Sequence, residues 1–254
     1  MELNPLVSII MPCLNADRTL EESIRSVISQ SYRNIELIVI DDGSADSSLD
    51  IVRKFSSLDA RIHLIINRAD HGVSHARNLG IDIAQGKYMC FLDSDDYLTD
   101  NSIQMRVEFA EAHGVDVVYG SYFRLHPDGD FSLIVPPKRI SYIDMLRKNY
   151  IGNLTGFYNI NSVGKFFQKN VRHEDYLMWL LILRKVNFAY SVGPESLGYY
   201  RVSSASLSGN KLKAFWWHWL ILRDELNLPF VKSVYLQLFY FFSSIFNRLF
   251  PGMK

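Results

Sequence analysis

Four short apolar runs alternate with amphipathic stretches over the first hundred residues. Val7 to Met11 is the first run, and Pro12, which cannot continue a ladder, is expected to stop it. Asn15, Ala16 and Asp17 read as a turn. Thr19 and Glu22 have the spacing of a capping box, and Leu20, Ile24, Val27 and Ile28 follow at helical spacing. Ile35 to Ile40 is the second run, ended by Asp41-Asp42-Gly43-Ser44, after which Ser44 or Asp46 can cap a helix carrying Leu49, Ile51, Val52 and Phe55. Ile62 to Ile66 is the third, followed by polar residues and a helix from about Val73 to Ala84 that Gly86 terminates. Tyr88 to Leu92 is the fourth, and it runs directly into Asp93, Asp95 and Asp96. Short runs of this kind, separated by helices, predict strands buried on both faces of a parallel α/β sheet.

Beyond Asp100 the alternation weakens. A helix over Ser102 to His113 and a strand over Asp116 to Tyr119 precede Pro127-Asp128-Gly129, a hairpin turn with its return strand at Phe131 to Val135. Tyr142 to Lys148 reads as a short helix, and the stretch from Tyr150 to Phe167 is rich in Gly, Asn, Ser and aromatic residues. Arg172-His173-Glu174-Asp175 opens a helix whose apolar face is Tyr176, Leu177, Trp179, Leu180 and Leu183. Another strand leads into Gly198 to Ser206. Lys211 to Asn227 is a helix with Trp216, Trp217 and Trp219 among basic residues. After Pro229 comes an aromatic helix with a narrow polar stripe at Ser233, Gln237, Ser244 and Arg248. Its uncharged part is too short for a membrane span, but aromatic residues with basic ends suit a helix lying in a membrane interface. The alternatives are packing on the chain's own body or on a second subunit, as in a homodimer.

Composition narrows the classes. The chain has 254 residues, 48% of them hydrophobic, which fits one large globular unit with a C-terminal appendage. Its 27 basic and 27 acidic residues cancel, so no molecule-wide field attracts nucleic acid. Cys13 and Cys90 are the two cysteines, both in apolar runs, which argues against a disulfide framework or a thiolate zinc site. The N-terminus lacks the basic region and cleavage site of a signal peptide, so a reducing, cytoplasmic setting is expected.

Ligands of open α/β sheets bind beyond the carboxyl ends of the strands. Pro12 to Asn15, Asp41-Asp42, Asn67 to Gly72 and Asp93 to Asp96 all fall at such ends. A cap or turn explains each singly; four together favour a ligand site. Neither the dinucleotide fingerprint nor a P-loop is present, so phosphate is not held on a glycine loop. A hard divalent cation on the Asp93 and Asp95 carboxylates would replace it. Asp42 could accept a hydrogen bond from a base N–H. Arg77 and Asn78 could donate into the same pocket, although Arg77 could equally form a helix-surface ion pair.

SIIMPCLNA, then ELIVIDDGSADSS, then GVSHARNLGI with AQGKYMCFLDSDD, resembles the family 2 glycosyltransferases of the GT-A fold, and RHEDYLMWLLI and YYRVSSASLS extend the likeness more loosely. The resemblance implies an α/β, Rossmann-like catalytic domain over residues 1–209, with a nucleotide-sugar half (1–100), an acceptor half (101–209) and C-terminal helices over 210–254. It implies that Pro12 begins a base-binding turn that includes Asn15, and that Asp42 binds the uracil ring or its equivalent. Arg77, Asp93, Ser94 and Arg201 would complete the nucleotide-sugar site. Asp95 would bind Mn2+ or Mg2+ directly, with Asp93 in the metal shell or toward the ribose, and Asp175 would be the general base. Glu174, Trp179 and Tyr158 would line the acceptor.

Two positions depart from the pattern. Ser203 stands where many relatives have a histidine that reaches the metal or diphosphate, and Leu14 where many have a base-stacking tyrosine. The implied activity is metal-dependent, inverting transfer of a hexose from a UDP-sugar such as UDP-Glc or UDP-Gal. The implied acceptor is a polyprenyl-diphosphate-linked glycan of bacterial surface polysaccharide, met at the inner face of the cell membrane. The rival enzyme, a nucleotidyltransferase, needs a basic glycine-rich loop after the first strand, which CLNADR is not. The rival from another class is a non-catalytic scaffold protein, in which Asp95 and Asp175 would be dispensable.

Overall fold

The first half folds as the alternation predicts: β1 (Val7–Cys13), α1 (Leu20–Ile28), β2 (Ile35–Asp41), α2 (Ser48–Leu58), β3 (Ile62–Ile66), α3 (Val73–Ile83) and β4 (Tyr88–Phe91). The second half continues with β5 (Tyr97–Leu98), α4 (Ser102–His113), β6 (Val117–Leu125), β7 (Phe131–Ile134), β8 (Arg139–Ile140), α5 (Tyr142–Arg147), β9 (Phe157–Asn159) and α6 (Ile160–Val163). It ends in α7 (Glu174–Leu183), β10 (Ala189–Arg201), α8 (Lys211–Leu220) and α9 (Phe230–Leu249). The structure is a computed structural model that describes residues 4–202 and 211–249.

The strands form one sheet in the order β3-β2-β1-β4-β9-β6-β10-β5, with β7 paired to β6 and β8 to β10. β3, β2, β1 and β4 are mutually parallel, as are β6 and β10; β9 enters antiparallel between β4 and β6. Every residue of β1, β2 and β4 is buried, because helices cover both faces. Side chains alternate between two cores: Ile10, Ile40 and Phe91 face the layer of α3 and α7, while Ile9, Met11 and Val39 face that of α1 and α2. α3 approaches the sheet closely because of Gly80, where a Cβ would stand 2.7 Å from the Ile10 side chain and 2.8 Å from Ile40.

Two local expectations are corrected. β1 does not stop at Pro12; it continues to Cys13, with Pro12 in register with Ile40. The proline fits because its missing N–H faces the β4 side, where the ladder has already closed with the Leu92 N–H on the Ile10 carbonyl. Thr19 precedes α1 but makes no capping bond. Its hydroxyl donates instead to the Ser94 carbonyl at 2.9 Å, so a helix start serves the loop after β4. The hairpin, the short helix at Tyr142 and the helix beginning at Glu174 are found as expected. Burial pushes the Cys13 thiol up to about 11, as suits an inert apolar side chain.

The C-terminal helices pack on the body of the protein. Ile221, Leu222, Leu226, Leu228 and Leu236 belong to the same core as Trp179 and Leu180 of α7, so a boundary near residue 209 does not divide two cores. His218 is buried beneath α9, with its ring nitrogens 2.7 Å from Gln237 Oε1 and 3.2 Å from the Leu146 carbonyl. On the opposite face of α9, Val231, Tyr235, Leu238 and Phe242 form an exposed apolar stripe at helical spacing. Among the described residues no helix is long and apolar enough to cross a membrane.

Candidate active site

The carboxyl ends of β1, β2 and β3 are tied together by short-range polar contacts. Asn15, at φ 50°, donates its N–H to Ser44 Oγ and accepts the Ala45 N–H on Oδ1 at 2.8 Å. The loops after β1 and β2 are thereby fixed side by side. Asp42 is buried; its Oδ1 accepts from Asn67 Nδ2 at 2.6 Å and meets His71 Nδ1 at 3.2 Å, and its Oδ2 accepts the Gly72 N–H at 2.8 Å. A carboxylate has about four lone-pair directions. Asp42 therefore holds the loop before α3 and keeps one acceptor position unused among the described residues.

The loop after β4 is held on three sides. The Ser94 carbonyl takes both the Thr19 and the Ser23 hydroxyls at 2.9 Å. Asp96 is buried and accepts the Arg201 N–H at 2.9 Å. The Arg201 guanidinium donates to the Asp95 carbonyl at 2.6 Å, pairs with Glu22 of α1 and lies 4.9 Å over the Tyr97 ring. In this structure Arg201 therefore closes the loop, with its charge committed to the protein. Asp95 is exposed and carries no ion pair among the described residues, and Asp93 turns the other way, to Arg77. Residual desolvation and the charge on Asp93 lift the Asp95 carboxyl above the ordinary range; burial, then Asp93 and Asp95, push Asp96 well above it.

Arg77 is buried at the centre of this edge. Its Nη2 donates to Asp93 Oδ1 at 2.6 Å, and its Nη1 to Glu174 Oε1 at 3.0 Å and Gln168 Oε1 at 3.2 Å. Burial opposes its charge, but Asp93 and Glu174 outweigh that and stabilise it. Asn78, expected to donate into the pocket, instead exchanges a pair of hydrogen bonds with the backbone of Gln168 at 2.7 and 2.8 Å. Asp175 is partly buried in the first turn of α7, after His173 in the left-handed conformation. Burial raises its carboxyl group, and Arg77 works against that rise. Glu174 is likewise raised by burial and by Asp175.

The structure thus gathers Asp93, Asp95, Arg77, Glu174 and Asp175 on one edge, with Pro12, Asn15 and Asp42 at the neighbouring strand ends. Trp179 and Tyr158 are corrections. Both are fully buried, edge to face with each other at 5.9 Å, so neither presents a ring to an acceptor. A run of aromatics near Gly and Asn resembles a sugar platform in sequence, but β9 and α7 carry these two into the core. Ser203, Ser204 and Ser206 lie outside the described residues. Gln168, Glu22 and Ser23 went unrecognised, because their roles depend on contacts between distant segments.

Asp93 and Asp95 offer carboxylate oxygens, the donor set of Mg2+ and Mn2+. Among the described residues no three His, Cys, Asp or Glu side chains converge as a metal cage. One or two carboxylates with substrate phosphates completing the shell are the arrangement these ions commonly adopt; Asp95, which has no ion pair among the described residues, fits it, and Asp93 has Oδ2 to offer beside the Oδ1 bonded to Arg77.

A model of the family described as "Glycosyl transferase family 2" matches residues 8–172. The chain is 36% identical over 231 residues to the Escherichia coli UDP-Glc:alpha-D-GlcNAc-diphosphoundecaprenol beta-1,3-glucosyltransferase WfgD, covering 91% of this chain and 90% of that one. Among solved structures, S. aureus TarS 1-349 in complex with UDP-GlcNAc superposes with a TM-score of 0.68 at 20% identity, over 97% of this chain and 73% of that one. The mannosyltransferase PcManGT from Pyrobaculum calidifontis, in complex with GDP-Man and Mn2+, gives 0.69 at 16% identity, over 90% and 66%. With its parallel half-sheet, its acidic loop after β4 and this extent of match, the chain belongs to glycosyl transferase family 2, has the GT-A fold and is a glycosyltransferase.

Proposed function

We propose that the protein transfers a hexose with inversion from a UDP-sugar, glucose being the first candidate, to a sugar hydroxyl on a lipid-diphosphate-linked acceptor. The observation that carries this reading is Asp175: a carboxyl group raised by burial, in the first turn of α7, next to Glu174, which pairs with the same Arg77 as Asp93. Inverting transfer needs one base. Asp175 takes the proton from the acceptor hydroxyl as that oxygen bonds to the anomeric carbon, and the bond from that carbon to the diphosphate breaks. Asp42 accepts from the base N–H, the turn from Pro12 to Asn15 borders the ring, and Asp93, Ser94 and Asp95 face the diphosphate. A divalent cation, held by Asp95 and Asp93, supplies positive charge to the leaving diphosphate when bound. Arg201 keeps the loop that carries Asp95 in place. The name of the E. coli relative supports the choice of glucose and of a GlcNAc-diphospholipid acceptor.

An acceptor of that kind is embedded in a bilayer, and the exposed apolar stripe of α9 suits peripheral contact with the inner face of the membrane. The catalytic reading is tested by incubating the full chain and Mn2+ with a panel of nucleotide sugars, with and without a lipid-diphosphate GlcNAc or GalNAc acceptor. Transfer from a UDP-hexose is expected, and turnover of no donor would reject the reading. For the membrane contact, Tyr235→Glu with Leu238→Glu alters exposed positions only, whereas deleting α9 would uncover His218. The double variant should leave anionic vesicles while keeping its melting temperature; unchanged partitioning would reject the contact.

A further inference from the structure

We propose that Arg77 is a positioning residue, not a donor ligand: a buried tether that sets the distance between Asp93 at the end of β4 and the first turn of α7, and so places Asp175 against the donor. The proposal rests on the reading that Asp93 and Asp95 face the donor and Asp175 is the base.

Three features carry it. Arg77 is 4% exposed and lies among protein side chains. Its η nitrogens donate to two carboxylates from elements 81 residues apart in sequence, Asp93 and Glu174, while its Nε has no partner among the described residues. A guanidinium holds such partners in a rigid planar fork, which fixes direction as well as distance. Finally, the loop before α7 is bound to the helix that carries Arg77, through Gln168 to Arg77 and through the paired bonds of Gln168 with Asn78. The stretch from 168 to 174 therefore has two anchors on α3, and Asp175 is the next residue. Glu174 is accordingly the α7 end of the tether rather than an acceptor contact.

The discriminating variant is Glu174→Gln, which removes the charge that binds the α7 end of the tether to Arg77, leaving at most a neutral hydrogen bond, and leaves the Arg77–Asp93 pair intact. Misplacing a reacting group by about 1 Å costs about 100-fold in rate. Glu174→Gln should lower kcat for transfer by about that factor, with the calorimetric dissociation constant for UDP-glucose and Mn2+ and the acceptor KM within about threefold of the parent. Arg77→Lys should recover part of the kcat that Arg77→Met loses. In the Glu174→Gln background, Arg77→Met should cost less than in the parent, because the bond to Glu174 that it removes is already weakened.

Two outcomes overturn the proposal. An Arg77→Lys protein that folds as the parent does but binds UDP-glucose about tenfold more weakly would make Arg77 a donor ligand. A Glu174→Gln protein with raised acceptor KM and unchanged kcat would make Glu174 an acceptor contact. The underlying reading fails separately, if Asp175→Asn retains transfer. If Arg77→Met does not fold, the Glu174→Gln and Arg77→Lys measurements decide alone.

Discussion

The Asp96 carboxylate lies 2.9 Å from the backbone nitrogen of Arg201, across 105 residues of sequence, and is almost wholly buried. It forms the inner wall of the acidic loop, and its charge is costly. Burial, Asp93 and Asp95 all favour its protonated form, so its folded-state pKa lies above that of the unfolded chain. The resulting stabilisation is complete below about pH 4 and is lost as pH rises through the raised value. Asp96→Asn keeps an oxygen for the Arg201 N–H and removes the charge. The variant should melt higher than the parent at neutral pH, with the difference shrinking as pH falls through the raised value toward about pH 4. A difference that does not vary with pH would show that Asp96 is not the titrating group.

Asp175→Asn should lower kcat by about 10²- to 10⁴-fold while UDP-glucose binding changes no more than a few-fold, since general-base catalysis supplies gains of that order. Because burial raises the Asp175 carboxyl and the base must be unprotonated, kcat should climb with pH through that raised value. Its acid limb then lies above the usual carboxylate range near 4. A pH–rate profile of the parent locates the limb; a flat profile down to about pH 4 would remove Asp175 from the role.

The half of the fold from Val7 to Phe91 was legible because each element there is specified locally, by apolar runs of strand length and helices of regular period. The acidic loop was legible for the same reason, as a polar break at a strand end. What each of its side chains does was not. Thr19 has the spacing of a helix cap, yet its hydroxyl bonds to Ser94, 75 residues away. Arg201 reads as a phosphate ligand, yet it is held by Glu22 and the Asp95 carbonyl. Such partners become visible only once β10 is paired with β5 and α1 packed beside it. Trp179 and Tyr158 failed for the complementary reason: an aromatic side chain reads alike in sequence whether it faces a sugar or a core.

Metal removal should act on binding as well as on turnover. Asp93 and Asp95 alone make a weak site, so the cation and the nucleotide diphosphate should bind together. Stripping the protein with EDTA should weaken UDP binding by about tenfold, ~1.4 kcal/mol, and Mn2+ or Mg2+ should restore it. Asp95→Ala with Mn2+ should bind UDP as the stripped parent does, and added EDTA should then change nothing. An Asp95→Ala protein with undiminished, Mn2+-dependent UDP binding would place the cation elsewhere.

Gly156 stands beneath α7 at φ −66° and ψ 138°, a backbone conformation open to any residue, so its requirement is purely steric. A Cβ there would lie 2.1 Å from the Trp179 ring. That ring packs edge to face on Phe91 at 6.3 Å, immediately before the acidic loop, as well as on Tyr158. Gly156→Ala should therefore push Trp179 and α7 away from β4, with an overpacking cost of about 1–3 kcal/mol. The displacement reaches Asp175 one helical turn away, so kcat should fall further than the loss of folded protein explains. Trp179→Phe shortens the side chain that collides, and in the Gly156→Ala background it should recover stability, although alone it leaves a cavity and destabilises. Denaturant unfolding of the two single variants and the double variant measures that coupling. Simple additivity would mean that the Gly156–Trp179 contact does not set the height of α7 above the sheet.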